Sequence, residues 1–136
     1  YVYAQSYPYS QEVVFDYRSS EPLEDLSVLL SAKQLFRIAV YRRVIGSGYW
    51  KKVGKLPLRE DLLPVQMKYI YHKFDNIQFE IYNPATGKVI PATKDECRGL
   101  EEAAVWDYGA ITERIRDYYN DVPCVWLNEE YELFKD

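Results

Sequence analysis

The sequence predicts an α+β fold: a single domain, mainly antiparallel sheet, with two or three short helices set among the strands. Three observations predict it. Apolar residues alternate with polar ones at period two in several short runs, clearest at Phe36, Ile38 and Val40 and at Ile77, Phe79 and Ile81. Helix-start chemistry stands at Thr93 and Glu96 and again at Asp107. No strand–helix–strand unit of sufficient length repeats, which argues against a parallel doubly wound sheet. At roughly 100–200 residues per domain, the 136 residues make one domain spanning 1–136. A chain of this length buries roughly 70% of its unfolded surface and needs no metal or disulfide to hold a core.

Residues 1–5 alternate weakly and read as a strand, and residues 6–10, with Pro8 at the centre and Ser6 and Ser10 at the ends, read as a turn. Val13, Val14, Phe15 and Tyr17 make the next strand. Ser19, Ser20 and Pro22 open a helix whose Leu23, Leu26, Leu29 and Leu30 recur at helical spacing to about Ala32. Residues 35–44 form a strand. Gly46 and Gly48 turn the chain, and residues 49–53 return as the second arm of a hairpin, ended by Gly54 and Pro57. Residues 59–64 are a loop with a helical turn. Strands follow at 68–71 and 77–83, joined through Asp75 and Asn76, and a turn at 84–87 leads to a short strand at 88–90. The capping box starts a short helix that Gly99 limits. Residues 100–106 suit helix at Ala103 and Ala104 and strand at Val105 and Trp106. Asp107 caps a helix with Ile111, Ile115 and Tyr118 on one stripe, and Glu113 and Arg116 are spaced to pair on it. Asn120 and Asp121 end it. Residues 122–127 read as a strand and 131–134 as a further one. Trp50, Trp106, Phe36, Ile38, Leu26 and Ile115 fall on apolar faces and are expected to be buried together.

The charge of −4 favours basic partners over a nucleic-acid backbone. No apolar run approaches the roughly 18 residues of a membrane helix, and no signal peptide opens the chain. The 14 tyrosines exceed what a core of this size takes, so some belong to the surface, where Tyr is a favoured interface residue. Cys97 and Cys124 match no metal spacing. In a chain without a secretory signal they read as buried free thiols, which points to the cytoplasm.

The search for chemistry returns little. His72 is the lone histidine, and no metal or cofactor site is expected, because a structural zinc needs four nitrogen or sulfur ligands. Gly46 and Gly48 fit neither phosphate-loop spacing. The adjacent carboxylates Asp95–Glu96, Glu101–Glu102 and Glu129–Glu130 read as solvated surface. No catalytic residues are assigned. A hydrolase or transferase pairing His72 with Cys97 or Cys124 remains a formal alternative. Arg42, Arg43, Lys51, Lys52 and Lys55 flank Tyr41, Tyr49 and Trp50, so a hairpin around Arg42 and Lys52 would make a single-strand nucleic-acid platform, against which the net charge stands. The segment with Glu129, Glu130, Tyr131 and Glu132 is acidic and aromatic and suits a basic partner, with Tyr7 and Tyr9 in the early turn as a second patch.

Three segments change the balance when taken together. The first runs from Phe36 through Gly46, Gly48 and Trp50 to Gly54 and Leu58. The second runs from Pro91 through Thr93, Glu96 and Cys97 to Glu101, Ala104, Val105, Trp106 and Asp107. The third is Glu113-Arg114-Ile115-Arg116-Asp117-Tyr118-Tyr119. In this order they resemble the immunity protein 26 family of bacterial polymorphic toxin systems, over most of the chain from about Tyr1 to Trp126. The Trp-x-x-x-Gly and Glu-x-Ala-Ala-Val-Trp-Asp segments carry the resemblance most specifically. Family members tend to begin with a further strand bearing a Gly-Asp pair; here residues 1–4 look like the second strand of that opening hairpin, and the first is missing or lies ahead of Tyr1. The resemblance implies a non-enzymatic cytoplasmic protein that binds a cognate toxin domain and blocks it. It supplies no toxin-contact motif, so the contact candidates remain Tyr7, Tyr9, Glu129, Glu130, Tyr131 and Glu132.

Overall fold

The computed structural model describes every residue except Asp75, Ile77 and Asp136. The expected junction at Asp75 and strand start at Ile77 therefore lie outside the described residues. The fold is α+β. Among the described residues the strands form two four-stranded sheets, β1-β2-β3-β8 and β6-β5-β4-β7.

In the first sheet, β1 (Val2–Tyr7) and β2 (Gln11–Arg18) are an antiparallel hairpin, and β3 (Gln34–Val40) pairs antiparallel with β2. The hairpin turn is tight: Tyr9 and Ser10 both hold positive φ, the sign pattern of a type I′ turn, and Gln11 Nε2 donates to the Pro8 carbonyl at 2.9 Å. Val13, Val14 and Phe15 are all buried in succession, so both faces of this sheet are covered. Tyr3, Tyr7, Val13, Phe15, Leu29 and Leu62 form one cluster, and Val14, Phe36, Ile38, Val44 and Ile111 form the other. The helix expected from Ser19 is a 3-10 turn, Leu26–Ser31, capped by Asp25, which accepts from Ser27 N at 2.9 Å.

The strand expected over 35–44 stops at Val40. There β3 meets β8 (Val105–Trp106) in parallel, Ala39 opposite Val105 and Val40 opposite Trp106. The chain then coils into α1 (Arg42–Gly46), which turns Val44 into the core. Residues 49–53 form no strand, so the hairpin around Arg42 and Lys52 does not exist. Instead Arg43 pairs with Asp107, and Tyr49 stacks on Tyr108 at 4.6 Å.

The second sheet is built from β4 (Lys68–Tyr71), β5 (Phe79–Tyr82), β6 (Val89–Ala92) and β7 (Glu101–Glu102), with β7 parallel to β4. Residues 100–106 thus resolve into two short parallel strands, one for each sheet. The capping box is present: Thr93 Oγ1 accepts from Glu96 N at 3.2 Å, and Glu96 Oε1 accepts from Thr93 N at 3.0 Å. It starts α2 (Lys94–Cys97), and Gly99 turns the chain at φ +81°, a conformation other residues resist.

Asp107 caps α3 (Tyr108–Tyr119) as expected, its carboxylate accepting from Tyr108 N at 2.9 Å. Ile111 is buried, but Tyr118 is exposed: its hydroxyl and that of Tyr119 donate to the two oxygens of Asp16 on β2, at 2.9 and 3.0 Å. Glu113 does not pair with Arg116. It accepts the Trp126 indole N–H at 2.6 Å. Residues 122–127 are no strand. They end in a 3-10 turn, Val125–Leu127, followed by α4 (Asn128–Leu133) where a terminal strand was expected. Trp50, Trp106 and Ile115 pack half-buried against Phe36 and Ile38, whereas Leu26 belongs to the opposite cluster. Both cysteines are free and buried.

The seam between the sheets is polar. Arg37, Lys68 and Gln11 are buried there. Arg37 donates to Gln34, Gln11 and the Pro64 carbonyl, and Lys68 Nζ donates to the Arg37 carbonyl at 3.3 Å. Buried charges persist only where such partners replace water.

Candidate functional site

The feature with the most concentrated charge lies on the second sheet. β7 contributes Glu101 and Glu102, and alternation sends the two carboxylates to opposite faces. Glu101 turns inward and forms a two-pronged ion pair with Arg114 of α3, Nη1 standing 3.2 Å from Oε2. The Arg114 guanidinium also lies over the rings of Phe36, at 4.0 Å, and Trp106, at 4.9 Å. Glu102 turns outward toward α4.

α4 is amphipathic. Leu133 and, just after it, Phe134 pack against the core of Tyr69, Phe79 and Cys97. Phe134 meets Tyr69 edge-on at 5.1 Å. This contact fixes the helix over the sheet and directs its carboxylates to the rim. The result is a groove of about 540 Å³ lined by Tyr69, Tyr71, Lys73, Glu102, Glu129 and Glu130, among others. Its lining is aromatic and mainly acidic, with Lys73 the one cation among the lining residues. Glu102 hydrogen-bonds with Glu130, is partly desolvated, and feels the charges of Glu130, Glu129 and Glu101; its carboxyl is pushed up to about 7. Burial, reinforced by Glu130, also raises the Tyr69 hydroxyl well above its usual range.

The sequence-predicted residues divide. Glu129, Glu130 and Glu132 line this groove, and Tyr131 stands on the same helix with 45% of its surface exposed. The Tyr131 hydroxyl accepts from Cys124 N at 3.4 Å, so the side chain also buttresses the helix. Tyr7 is a correction: it is 5% exposed and belongs to the core. Its hydroxyl donates to Gln5 and accepts from Arg59 N at 3.0 Å, which leaves it nothing to offer a partner. Tyr9 is exposed at the hairpin tip of the first sheet and is not among the residues that line the groove. The two patches do not merge.

Sequence reasoning missed Glu102 and Tyr69 as members of the site. The period-two rule, applied to Glu101 and Glu102, was the available signal that one of two adjacent carboxylates faces away from the other. Nothing local links Tyr69 to α4.

The remaining chemistry-bearing residues sit elsewhere. His72 Nε2 lies 2.5 Å from Glu80 Oε1. The Cys97 thiol is fully buried and pushed up by burial, opposite to the shift that activates a nucleophile. Among the described residues no group of three or more His, Cys, Asp or Glu is placed to hold a metal ion. No described helix is long and apolar enough to cross a membrane.

Fold and site together define an α+β protein with a mainly acidic, aromatic-lined groove. Comparisons of the chain with protein-family models, with curated proteins and with solved structures find no match.

Proposed function

We propose that this chain is a cytoplasmic immunity protein that neutralises a cognate toxin domain by stoichiometric binding, without catalysis, and that the groove beside α4 receives basic side chains of the toxin. The observation that carries the reading is the crowding of Glu102, Glu129 and Glu130 over Tyr69 and Tyr71. The hydrogen bond to Glu130, burial and the neighbouring charges together lift the Glu102 carboxyl, and a lysine or arginine from a partner favours its charged form. Aromatic rings beneath a cation add attraction through their faces. The resemblance to the immunity protein 26 family supports the biological setting. Many toxin domains act on nucleic acid and carry basic clefts, which an acidic inhibitor complements.

In such an interface a few aromatic anchors hold most of the energy, while rim charges set the association rate. The test is a growth-rescue assay against the product of the gene immediately upstream, matched to binding kinetics. Tyr131→Ala is expected to raise dissociation by tens-fold, about 2 kcal/mol. Tyr131→Phe, which keeps the ring, stays near the parent. Glu129→Lys with Glu132→Lys slows association and weakens its salt dependence. Unchanged rescue and affinity in all of these variants would sink the surface. Rescue at far below one copy per toxin would sink stoichiometric inhibition itself.

A further inference from the structure

A helix seated on the first sheet holds the acidic groove of the second sheet at two points. Ile111 and Ile115 of α3 pack with Phe36 and Ile38, and the hydroxyls of Tyr118 and Tyr119 donate to Asp16 of β2. Adjacent residues on a helix point roughly 100° apart, so Glu113 and Arg114 reach different elements.

Arg114 reaches β7. Both prongs of its guanidinium grip Glu101, and the group is held over the rings of Phe36 and Trp106 at 4.0 and 4.9 Å. β7 depends on such a hold. It is two residues long, it pairs among the described residues only with β4, and its second residue is Glu102 of the groove. A fixed Glu101 sets the direction of Glu102, because alternation sends the next side chain to the opposite face.

Glu113 reaches the chain that leads into α4. Its carboxylate accepts the Trp126 indole N–H at 2.6 Å, in the 3-10 turn Val125–Leu127 that runs directly into the helix. Trp126 is 55% exposed, so this bond, more than burial, sets its place. A helix as short as α4 does not hold itself in water and keeps its position through contacts at its ends. Leu133 and Phe134 supply them at one end, and the turn that Glu113 holds supplies them at the other.

We propose that Glu113 and Arg114 are positioning residues for the acidic groove: Arg114, through Glu101, places Glu102, and Glu113, through Trp126, places Glu129 and Glu130, so that α3 sets the gap a partner's cation enters. The consequence for affinity rests on the toxin-binding reading of the groove; the placement of the carboxylates does not. Glu102 reports the gap. It titrates at about 7 because it bonds with Glu130, is partly desolvated, and feels Glu130, Glu129 and Glu101, the last offset by Arg114. Tyr69, Tyr71, Lys73 and Glu132 complete the titratable lining. Drawing α4 or β7 apart favours the charged form and lowers the midpoint toward 4.5.

The experiment follows the Glu102 carboxyl by carbon NMR in pH titrations of the full chain. Glu113→Ala and Trp126→Phe are each expected to lower the midpoint by about one pH unit. Together they lower it no further than either alone, because both remove one bond. Glu113→Gln removes the charge, keeps an acceptor for the indole and stays with the parent. Arg114→Lys keeps the charge beside Glu101, loses the fork and lowers the midpoint as well. The Glu113 and Trp126 variants lie at partly or well exposed positions, so they decide the matter even where Arg114→Lys fails to fold. Parent-like midpoints in Glu113→Ala and Trp126→Phe would overturn the proposal. So would additive shifts, or a Glu113→Gln shift equal to that of Glu113→Ala, which would assign the effect to charge alone. Against the product of the gene immediately upstream, the shifted variants are expected to bind about tenfold more weakly. Shifted midpoints with unchanged affinity would uphold the positioning and sink the groove as the toxin-binding surface.

Discussion

The two sheets solve the problem of burial differently. The first is covered on both faces, and three consecutive residues of β2 are buried to 1% exposure or less. The second is anchored by Tyr69, Phe79 and Cys97 and closed by Leu133 and Phe134 from the end of the chain, while its outer strand β6 leaves Val89 and Ile90 exposed. The difference teaches where function can be placed. A sheet packed on both faces has no face to spare for a partner. A sheet packed on one face by a short helix carries its groove along that helix. The helix that closes the second core is therefore also the helix that presents Glu129, Glu130 and Glu132, so site and core share one element.

The largest effect is expected in the first sheet. Phe15→Ala removes a 1% exposed ring from a packed cluster and is expected to cost about 3–5 kcal/mol in denaturant unfolding. A cost under about 1 kcal/mol would show that the first sheet is not the stable unit. Phe134→Ala is the matching test in the second sheet. The ring is half-buried, so the expected cost is smaller, about 2 kcal/mol. Its signature is regional: amides of β4 and β5 lose exchange protection while β2 and β3 keep theirs. Equal loss in both would mean that the polar seam of Arg37 and Lys68 couples the sheets into one cooperative unit.

The smallest effect concerns the groove. The folded Glu102 carboxyl titrates at about 7, against an ordinary value of 4.5. Between these values the folded chain keeps a proton that the unfolded chain has released, so stability falls as pH rises. The contribution is whole below about 4.5 and lost through about 7. Glu102 is more than a third exposed, and screening holds the effect under about 1 kcal/mol. The urea midpoint is expected to decline over this window more steeply in the parent than in Glu102→Gln. Parallel profiles would remove the carboxyl pair from the description of the groove.

What the sequence determined by itself was local. The capping box at Thr93 and Glu96, the Asp107 cap, the α3 span ended by Asn120, and β2 with its β-branched run were all legible, because caps and periodicity are settled within a few residues along the chain. Tertiary structure decided the rest. The alternation of Phe36, Ile38 and Val40 suggested a strand running on to Val44, but β3 stops where its two-residue partner β8 stops, and Val44 reaches the core from a helix. The C-terminal aromatics suggested a strand, yet Glu and Leu are good helix formers, and a helix sets Leu133 and Phe134 on the open face of the second sheet. Tyr7 looked like surface because it sits beside a turn; the pairing of β1 with β2 turned it inward, where Arg59 satisfies its hydroxyl. The groove itself joins Tyr69, Glu102 and Glu130, three residues from separate elements. Their nearness depends on which face of one sheet a distant helix covers, and that is fixed by burial across the fold and by no local propensity.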